Sequence, residues 1–487
     1  MLSLNLDAIA SLRTDLRAAD WTVDHVEALM GPMATSAMGR EQFVPAHIAL
    51  QDQESPAALL TRLFLLAEEL TDTQLVLAFP TCDPEKLGLV RDGRALVDVR
   101  PYHWQGNNWW ICSDLGESQT KKPLKPEHVL GIGQATISLL HMTVRSHMTS
   151  ALDLGTGCGI LALCLSTHCD RVVATDLSER ACHFARFNAA LNGATNIDVR
   201  QGSLFEPVDG ERFDLITSNP PFVITPQSVR DTRHMDYRDG GMDRDNLIAT
   251  IVRQGPKYLE PQGILQMLAN WEIRGEDDWH IRPQSWLSDS ADAWLVQRDL
   301  LDPAQYVEMW LRDSGEQDTD GLYRAWLQDF IHAGVAGIGM GFIAMRRLEE
   351  TPAAAQAISV HDEVEQGHLP DGAAIAAALE NLQLPSDWKE RRIKVSPDVR
   401  EVRYFIPGYS DPSQIRVTQG AGMGRDIQVS SHMAALLGVA DGELTCGQII
   451  HALAAITGDS VPNIEEQIAT ALPELVRFQV ASLLDRT

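Results

Sequence analysis

Basic residues are scarce in this chain of 487: 40 Lys and Arg stand against 67 Asp and Glu, a formal charge of −27. That balance argues against a broad phosphate-binding surface, although a local basic patch can survive inside an acidic field. Seven cysteines, an odd number, form no C-x-x-C pair and no disulfide-framework spacing. Long apolar runs are missing too. The longest, "AGVAGIGMGFIAM" at 333–345, is too short and too rich in glycine to span a bilayer. The opening "MLSLNLDAIASLRTDL" lacks the basic start and apolar stretch of a secretory signal. No internal repeat or low-complexity tract stands out. These absences lead to the expectation of a soluble, reduced, cytoplasmic protein with no membrane contact.

What is present is globular. With 44% hydrophobic and 22% charged residues, a sizeable core is affordable, and the length implies roughly two to four domains. Residues 1–125 mix helical patterns such as "SPAALLTRLFLLAEEL" with extended segments around the "GNN" turn of "ALVDVRPYHWQGNNWWICSDL". We expect an N-terminal accessory domain of mixed helix and strand here, with a role in substrate recognition. From 126 to 350 strand-length apolar runs alternate with helical stretches, which predicts a mostly parallel sheet with helices on both faces. Residues 351–375, rich in Ala, Pro and acidic residues, read as a linker. A mainly helical C-terminal accessory domain, with a winged-helix-like arrangement as one expectation, follows over 376–487. Its "TCGQIIHALAAITG" has an N-cap threonine and a closing glycine.

Three short stretches carry chemistry. In "LDLGTGCGILAL" (152–163) a strand runs through a glycine loop into a helix, where Gly155, Gly157 and Gly159 let backbone approach a ligand. Asp153 at the strand end is placed to take an ammonium group. A glycine loop alone also fits dinucleotide binding or an ordinary turn. Seventeen residues past Gly159, Asp176 ends the next strand in "VVATDLS" and suits the two hydroxyls of a ribose, or simply caps the following helix. The third stretch is "ITSNPPFVITP" (216–226). Two prolines stiffen the backbone beside Asn219. A planar nitrogen is a poor nucleophile because its lone pair is delocalised. Asn219 Oδ1 and the Pro220 carbonyl can accept both of its N–H hydrogens while Phe222 stacks on its plane. The matching electrophile is the sulfonium methyl of S-adenosylmethionine.

In this order the motifs resemble class I S-adenosylmethionine-dependent methyltransferases, in particular the branch carrying (N/D)PP(Y/F). The segment from "LDLGTGCGILAL" to "SNPPFV" is most similar to the HemK/PrmC protein-glutamine methyltransferases. It also resembles ribosomal-RNA guanine methyltransferases of the "methyltransferase small" type. The resemblance covers about 220 of the 487 residues. It implies a Rossmann-like core with a seven-stranded, mostly parallel sheet, S-adenosyl-L-methionine as cofactor, S-adenosyl-L-homocysteine as product and no metal. Asp153, Gly155, Thr156 and Gly157 would border the methionine part, Asp176 the ribose, and Leu177, Ser203 and Leu204 the adenine. Asn219, Pro220, Pro221 and Phe222 would form the acceptor site, with Thr136 of "VLGIGQATISL" as a further candidate over the cofactor. Ser203 stands where the family often has Asp, and Phe222 where the glutamine branch usually has Tyr.

Other features read blandly. Cys158, Cys164, Cys169 and Cys182, with His168 and His183, match no zinc spacing. Trp109 and Trp110 read as core residues, and the charged loop "RDTRHMDYRDGG" (230–241) reads equally as a solvated loop or a substrate gate. The expected function is N-methyl transfer to a planar nitrogen of a macromolecule. The acceptor is either a glutamine side chain, as in a release factor, or an exocyclic amine of an RNA or DNA base. A cofactor-binding interaction protein without catalysis is the third expectation.

Overall fold

The computed structural model describes residues 2–122, 124–230, 240–313, 320–349, 357–364, 369–420 and 424–485. Most of the charged loop read equally as a solvated loop or a substrate gate, residues 231–239, lies outside the described residues.

A hairpin of β1 (Asp98–Trp104) and β2 (Asn107–Ser113) closes the N-terminal region. After it the predicted alternation appears as β3 (Met148–Leu154), β4 (Cys169–Asp176), β5 (Ile197–Gln201), β6 (Phe213–Ser218), β7 (Leu259–Arg274), β8 (Ala291–Leu301), β9 (Val335–Arg347) and β10 (Ser359–Glu363). These form one eight-stranded sheet in the order β10-β8-β9-β7-β6-β3-β4-β5. β3 pairs in parallel with both β4 and β6, and β4 with β5, whereas β8 and β9 are antiparallel. This is the Rossmann-like α/β fold expected, with one strand more than the seven foreseen. The extra strand, β10, arises inside the stretch read as a linker. Its Asp362 accepts from the Trp294 indole at 2.7 Å and from the Arg477 guanidinium twice at 3.1 Å, so this segment is tied into the fold.

The chain divides into two compact units. The first holds residues 1–137, 147–251 and 303–335, and so joins the N-terminal helices and hairpin to the strands that bear the glycine loop and "NPPF". The main helices around the site are α1 (Gln134–Met142), α2 (Ile160–Leu165), α3 (Glu179–Asn192), α4 (Asn246–Gln254), α5 (Pro303–Asp313) and α6 (Asp320–His332). α3 starts on the Ser178 hydroxyl, which accepts from Ala181 N, and stops at Gly193 with φ 74°. Arg13 caps its C-terminal carbonyls, donating to Leu191 O at 2.8 Å and Ala190 O at 2.5 Å. Two asparagines on α3 satisfy the backbone of β2: Asn188 bonds both N and O of Cys112 at 2.8 Å, and Asn192 both groups of Trp110 at 2.9 Å. Trp109 and Trp110 are buried.

The second unit holds residues 138–146, 252–302 and 336–487. Beyond the large sheet it contains two three-stranded sheets and the helices Cys446–Thr457 and Val461–Arg477. The first of these helices has the expected Thr445 cap and Gly458 stop, the latter at φ 80°. All seven cysteines are free and buried. Among the described residues no helix is long and apolar enough to cross a membrane, and no group of three or more His, Cys, Asp or Glu is placed to hold a metal ion.

Candidate active site

Three strand ends of the first unit meet around one cavity of about 520 Å3, within the range of small-molecule sites. Register explains the meeting: Leu154 of β3 lies opposite Thr175 of β4 on one side and Ser218 of β6 on the other. The loop after β3, the acid ending β4 and the "NPPF" after β6 therefore sit side by side at the carboxyl edge, where open α/β sheets bind ligands.

The glycine loop is folded by its own backbone. Gly155 N and Thr156 N both donate to Thr175 O at 2.9 Å. Gly157 takes φ 54° and nothing lies within 4 Å of a Cβ built there, so the loop faces open space. Gly159 has the opposite reason to be glycine. At φ 87°, a Cβ would stand 3.0 Å from Ala185 Cα, so a side chain would push α3 off the loop. Asp176 is anchored by Gly157 N on Oδ2 and Ser178 N on Oδ1, both at 2.9 Å, and a carboxylate has acceptor capacity for about four hydrogen bonds. Beside it Leu177 is 72% exposed while lining the cavity, an apolar surface ready for a flat partner. Ser203 and Leu204 line the same end, and Leu204 is held at φ 47°, a left-handed conformation costly for a leucine.

At the other end Asn219, Pro220, Pro221 and Phe222 line the cavity together with Thr136 of α1. Asn219 Nδ2 donates to Thr136 Oγ1 at 3.1 Å, whereas its Oδ1 is buried without any hydrogen-bond partner. An unsatisfied buried acceptor of this kind has a cost that a ligand donor would remove. The backbone beyond the motif is clamped: Ile224 N donates to the Tyr306 hydroxyl at 3.0 Å, and the Trp326 indole donates to Ile224 O at 2.9 Å.

Gly159 does not line the cavity, and neither does Asp153, which the sequence also singled out for ligand contact. Asp153 is fully buried, and its Oδ2 accepts from Thr156 Oγ1 at 2.5 Å and from Ala162 N at 3.1 Å. It thus ties the loop to the first turn of α2. Burial pushes its carboxyl up to about 7, against the pull of those two bonds and helped by the charge of Asp176. Thr156 does line the cavity.

Among the lining residues that the sequence did not single out is an aromatic one. Trp310 of α5 lines the Asn219–Phe222 end, its ring edge-on to Phe222 with centroids 6.5 Å apart. Its indole Nε1 is buried and has no hydrogen-bond partner. The signal available was the Tyr306–Trp310 pair four residues apart, one helix face carrying two aromatics in "AQYVEMW".

The residues present fit an adenosine-containing methyl donor: a glycine cradle open to space, the Asp176 carboxylate anchored beside it, and an apolar end bounded by Leu177 and Leu204. The methyltransferase small domain matches residues 131–278, and a domain of unknown function matches 18–100. A release factor glutamine methyltransferase of Xylella fastidiosa is 31% identical over 244 residues, spanning 45% of this chain and 86% of that protein. A ribosomal protein uL3 glutamine methyltransferase of Bradyrhizobium diazoefficiens is 32% identical over 149 residues, 29% of this chain and 46% of that one. An N-methyltransferase from Bradyrhizobium japonicum, solved with S-adenosyl-L-homocysteine, is 16% identical over 44% of this chain and 85% of its own, at a TM-score of 0.25. The motif order, the sheet and the Xylella relative agree, and the chain belongs to the release factor glutamine methyltransferase family, S-adenosylmethionine-dependent enzymes of class I fold.

Proposed function

We propose that this chain methylates the side-chain amide nitrogen of a glutamine in a protein of the translation machinery, a release factor before others. The observation that carries this reading is the Asn219 amide, anchored on Thr136 at one end and presenting an unpartnered acceptor oxygen at the other.

S-adenosyl-L-methionine supplies, when bound, an electrophilic sulfonium methyl and is released as S-adenosyl-L-homocysteine. Asp176 holds the ribose hydroxyls, while Leu177, Ser203 and Leu204 bound the adenine. Gly155, Thr156 and Gly157 flank the methionine portion, and Asp153 keeps their loop in place from behind. At the acceptor end Asn219 Oδ1 and the Pro220 carbonyl accept the two N–H groups of the substrate amide. That orients its nitrogen lone pair out of conjugation and toward the donor. Phe222 covers the amide plane and Pro221 stiffens the turn. The Trp310 N–H donates to the carbonyl oxygen of the same amide, so both ends of the planar group are read. A buried donor left unpaired by a substrate lacking that oxygen penalises the wrong acceptor.

Support for a protein rather than a nucleic-acid acceptor comes from the relatives' named substrates and from the chain's charge of −27, which repels phosphate backbones. A translation substrate places the reaction in the cytoplasm, and no residue of the proposed mechanism requires a metal. The test uses the full-length protein, methyl-labelled S-adenosylmethionine and a purified release factor, alongside total RNA. Label on a glutamine-bearing peptide released by protease is expected. Label released only by nuclease would move the reading to a base amine.

A further inference from the structure

A second cavity, of about 320 Å3, lies wholly within the second unit. It collects the loop after β7 and the carboxyl ends of β8 and β10, which run parallel to each other. The β8 ladder with β9 shifts register between Gln297 and Asp299, and such irregularities re-aim side chains next to binding sites.

Three separate properties of its wall select one chemistry. The first is charge: among the described residues Asp277, Asp278, Asp299 and Glu363 line the cavity against one cation, Arg298, four carboxylates to one guanidinium. The second is an aromatic wall. Trp279 is fixed by stacking on Trp271, centroids 5.6 Å apart, and by an edge contact with His361 at 5.8 Å. The third is a polar group in its lining. Gln297 is only 6% exposed, lines the cavity, and its Oε1 has no hydrogen-bond partner. A glycine of β9 makes room for the Trp271 indole and for that amide: a Cβ at Gly339 would lie 2.2 Å from Trp271 Nε1 and 2.7 Å from Gln297 Oε1.

An anionic rim attracts a cation, an indole attracts a cation with a flat face, and a buried amide oxygen needs an N–H donor. We propose that this cavity binds a guanidinium group, the side chain of a peptide arginine or a free guanidine. Guanidinium is planar, always charged, and carries five N–H donors, so it meets carboxylate, indole and amide oxygen at once. An ammonium is a strongly hydrated point charge and fits the indole wall less well. The site is independent of the methyl-transfer reading.

The experiment saturates the full-length protein with S-adenosylhomocysteine, so that the first cavity is filled, and titrates it calorimetrically. The probes are N-acetyl-arginine amide, the equally shaped but neutral N-acetyl-citrulline amide, and agmatine. The arginine probe is expected to bind saturably, with citrulline weaker by about tenfold or more, the scale of a lost charge-assisted contact. Gln297→Leu should weaken arginine binding, as should Asp277→Asn combined with Glu363→Gln, two surface changes that leave the core untouched. Rising salt should weaken it as well. Binding of agmatine but not of the arginine amide supports the site with a free guanidine as its source. Equal binding of citrulline, unaltered binding in the carboxamide variant, or no saturable uptake of either guanidine overturns the proposal.

Discussion

Asp153→Asn separates two roles that the family resemblance leaves joined, contact with the cofactor and support of the glycine loop. The carboxyl is fully buried, and burial raises it from 3.8 to about 7. In the unfolded chain the same group ionises near pH ~3.9. Between those values the unfolded state gives up its proton while the folded state keeps it, so folding loses stability as pH rises. The loss is complete above the folded value. A gap of about 3 units at 1.36 kcal/mol each makes the penalty about 4 kcal/mol at alkaline pH, and nearly nothing below pH ~4. Asparagine has the protonated acid's shape and no charge to bury, and its carbonyl still accepts from Thr156 and Ala162. The variant should therefore match wild type at about pH 4 and become more stable than it by a few kcal/mol at about pH 8.5. Urea denaturation of both proteins across that range measures the difference, and other titrating groups cancel in the comparison. A stability gap that stays flat with pH would refute the buried-acid argument. Because Asp153 does not line the cavity, S-adenosylhomocysteine affinity should change by no more than about threefold, within the worth of one indirect contact. A loss beyond about a hundredfold, the scale of a broken charge-assisted bond, would restore Asp153 to direct contact with the cofactor.

Asp176→Ala should weaken cofactor binding in calorimetry by roughly 1–3 kcal/mol, since charge-assisted bonds to the ribose are lost together with the anchor on Gly157 N. Asn219→Ala should leave that affinity nearly intact while single-turnover methyl transfer falls by roughly a hundredfold or more; turnover at the wild-type rate would reduce "NPPF" to a turn. Thr136→Val, which removes the partner of Asn219 Nδ2, should lower kcat about fivefold, the worth of one neutral hydrogen bond, and Thr136→Ser should restore it. Trp310→Phe keeps a ring against Phe222 but deletes the indole N–H, so KM for the protein substrate should rise about tenfold with cofactor affinity unchanged. An unaltered KM would remove Trp310 from substrate recognition.

The strand-end parts of the cavity were legible because each is contiguous in sequence and sits where a strand ends. The glycine loop needs its residues in a row, Asp176 follows its own strand, and Asn219 is stiffened by its neighbours Pro220 and Pro221. Hydrophobic alternation located the strands that carry them. What lies far away in sequence left weaker marks. Trp310 stands 88 positions after Phe222 and comes to it only because Tyr306 and Trp326 clamp Ile224, a tertiary arrangement with no local signature. β10 hid in a stretch whose Ala, Pro and acidic content resembles a linker, and its partners for Asp362 come from Trp294 and Arg477, far apart in sequence.

Asp153 shows the limit most sharply. Its place at the end of β3, one residue before the loop, is the same whether its side chain enters the cavity or turns beneath the loop. Only the partners decide. Thr156 and Ala162 take one oxygen, and Asp153 becomes part of the loop's support. The remaining oxygen is buried without a partner, which a proton on the carboxyl makes tolerable and a full charge does not. The same accounting applies at Asn219, whose orphaned oxygen is also buried but belongs to a residue that lines the cavity. There a ligand N–H can satisfy it. Two unpaired oxygens a few residues from the ends of neighbouring strands thus have opposite remedies, protonation at Asp153 and substrate at Asn219. The distinction is why the first is expected to govern stability against pH and the second the rate of methyl transfer.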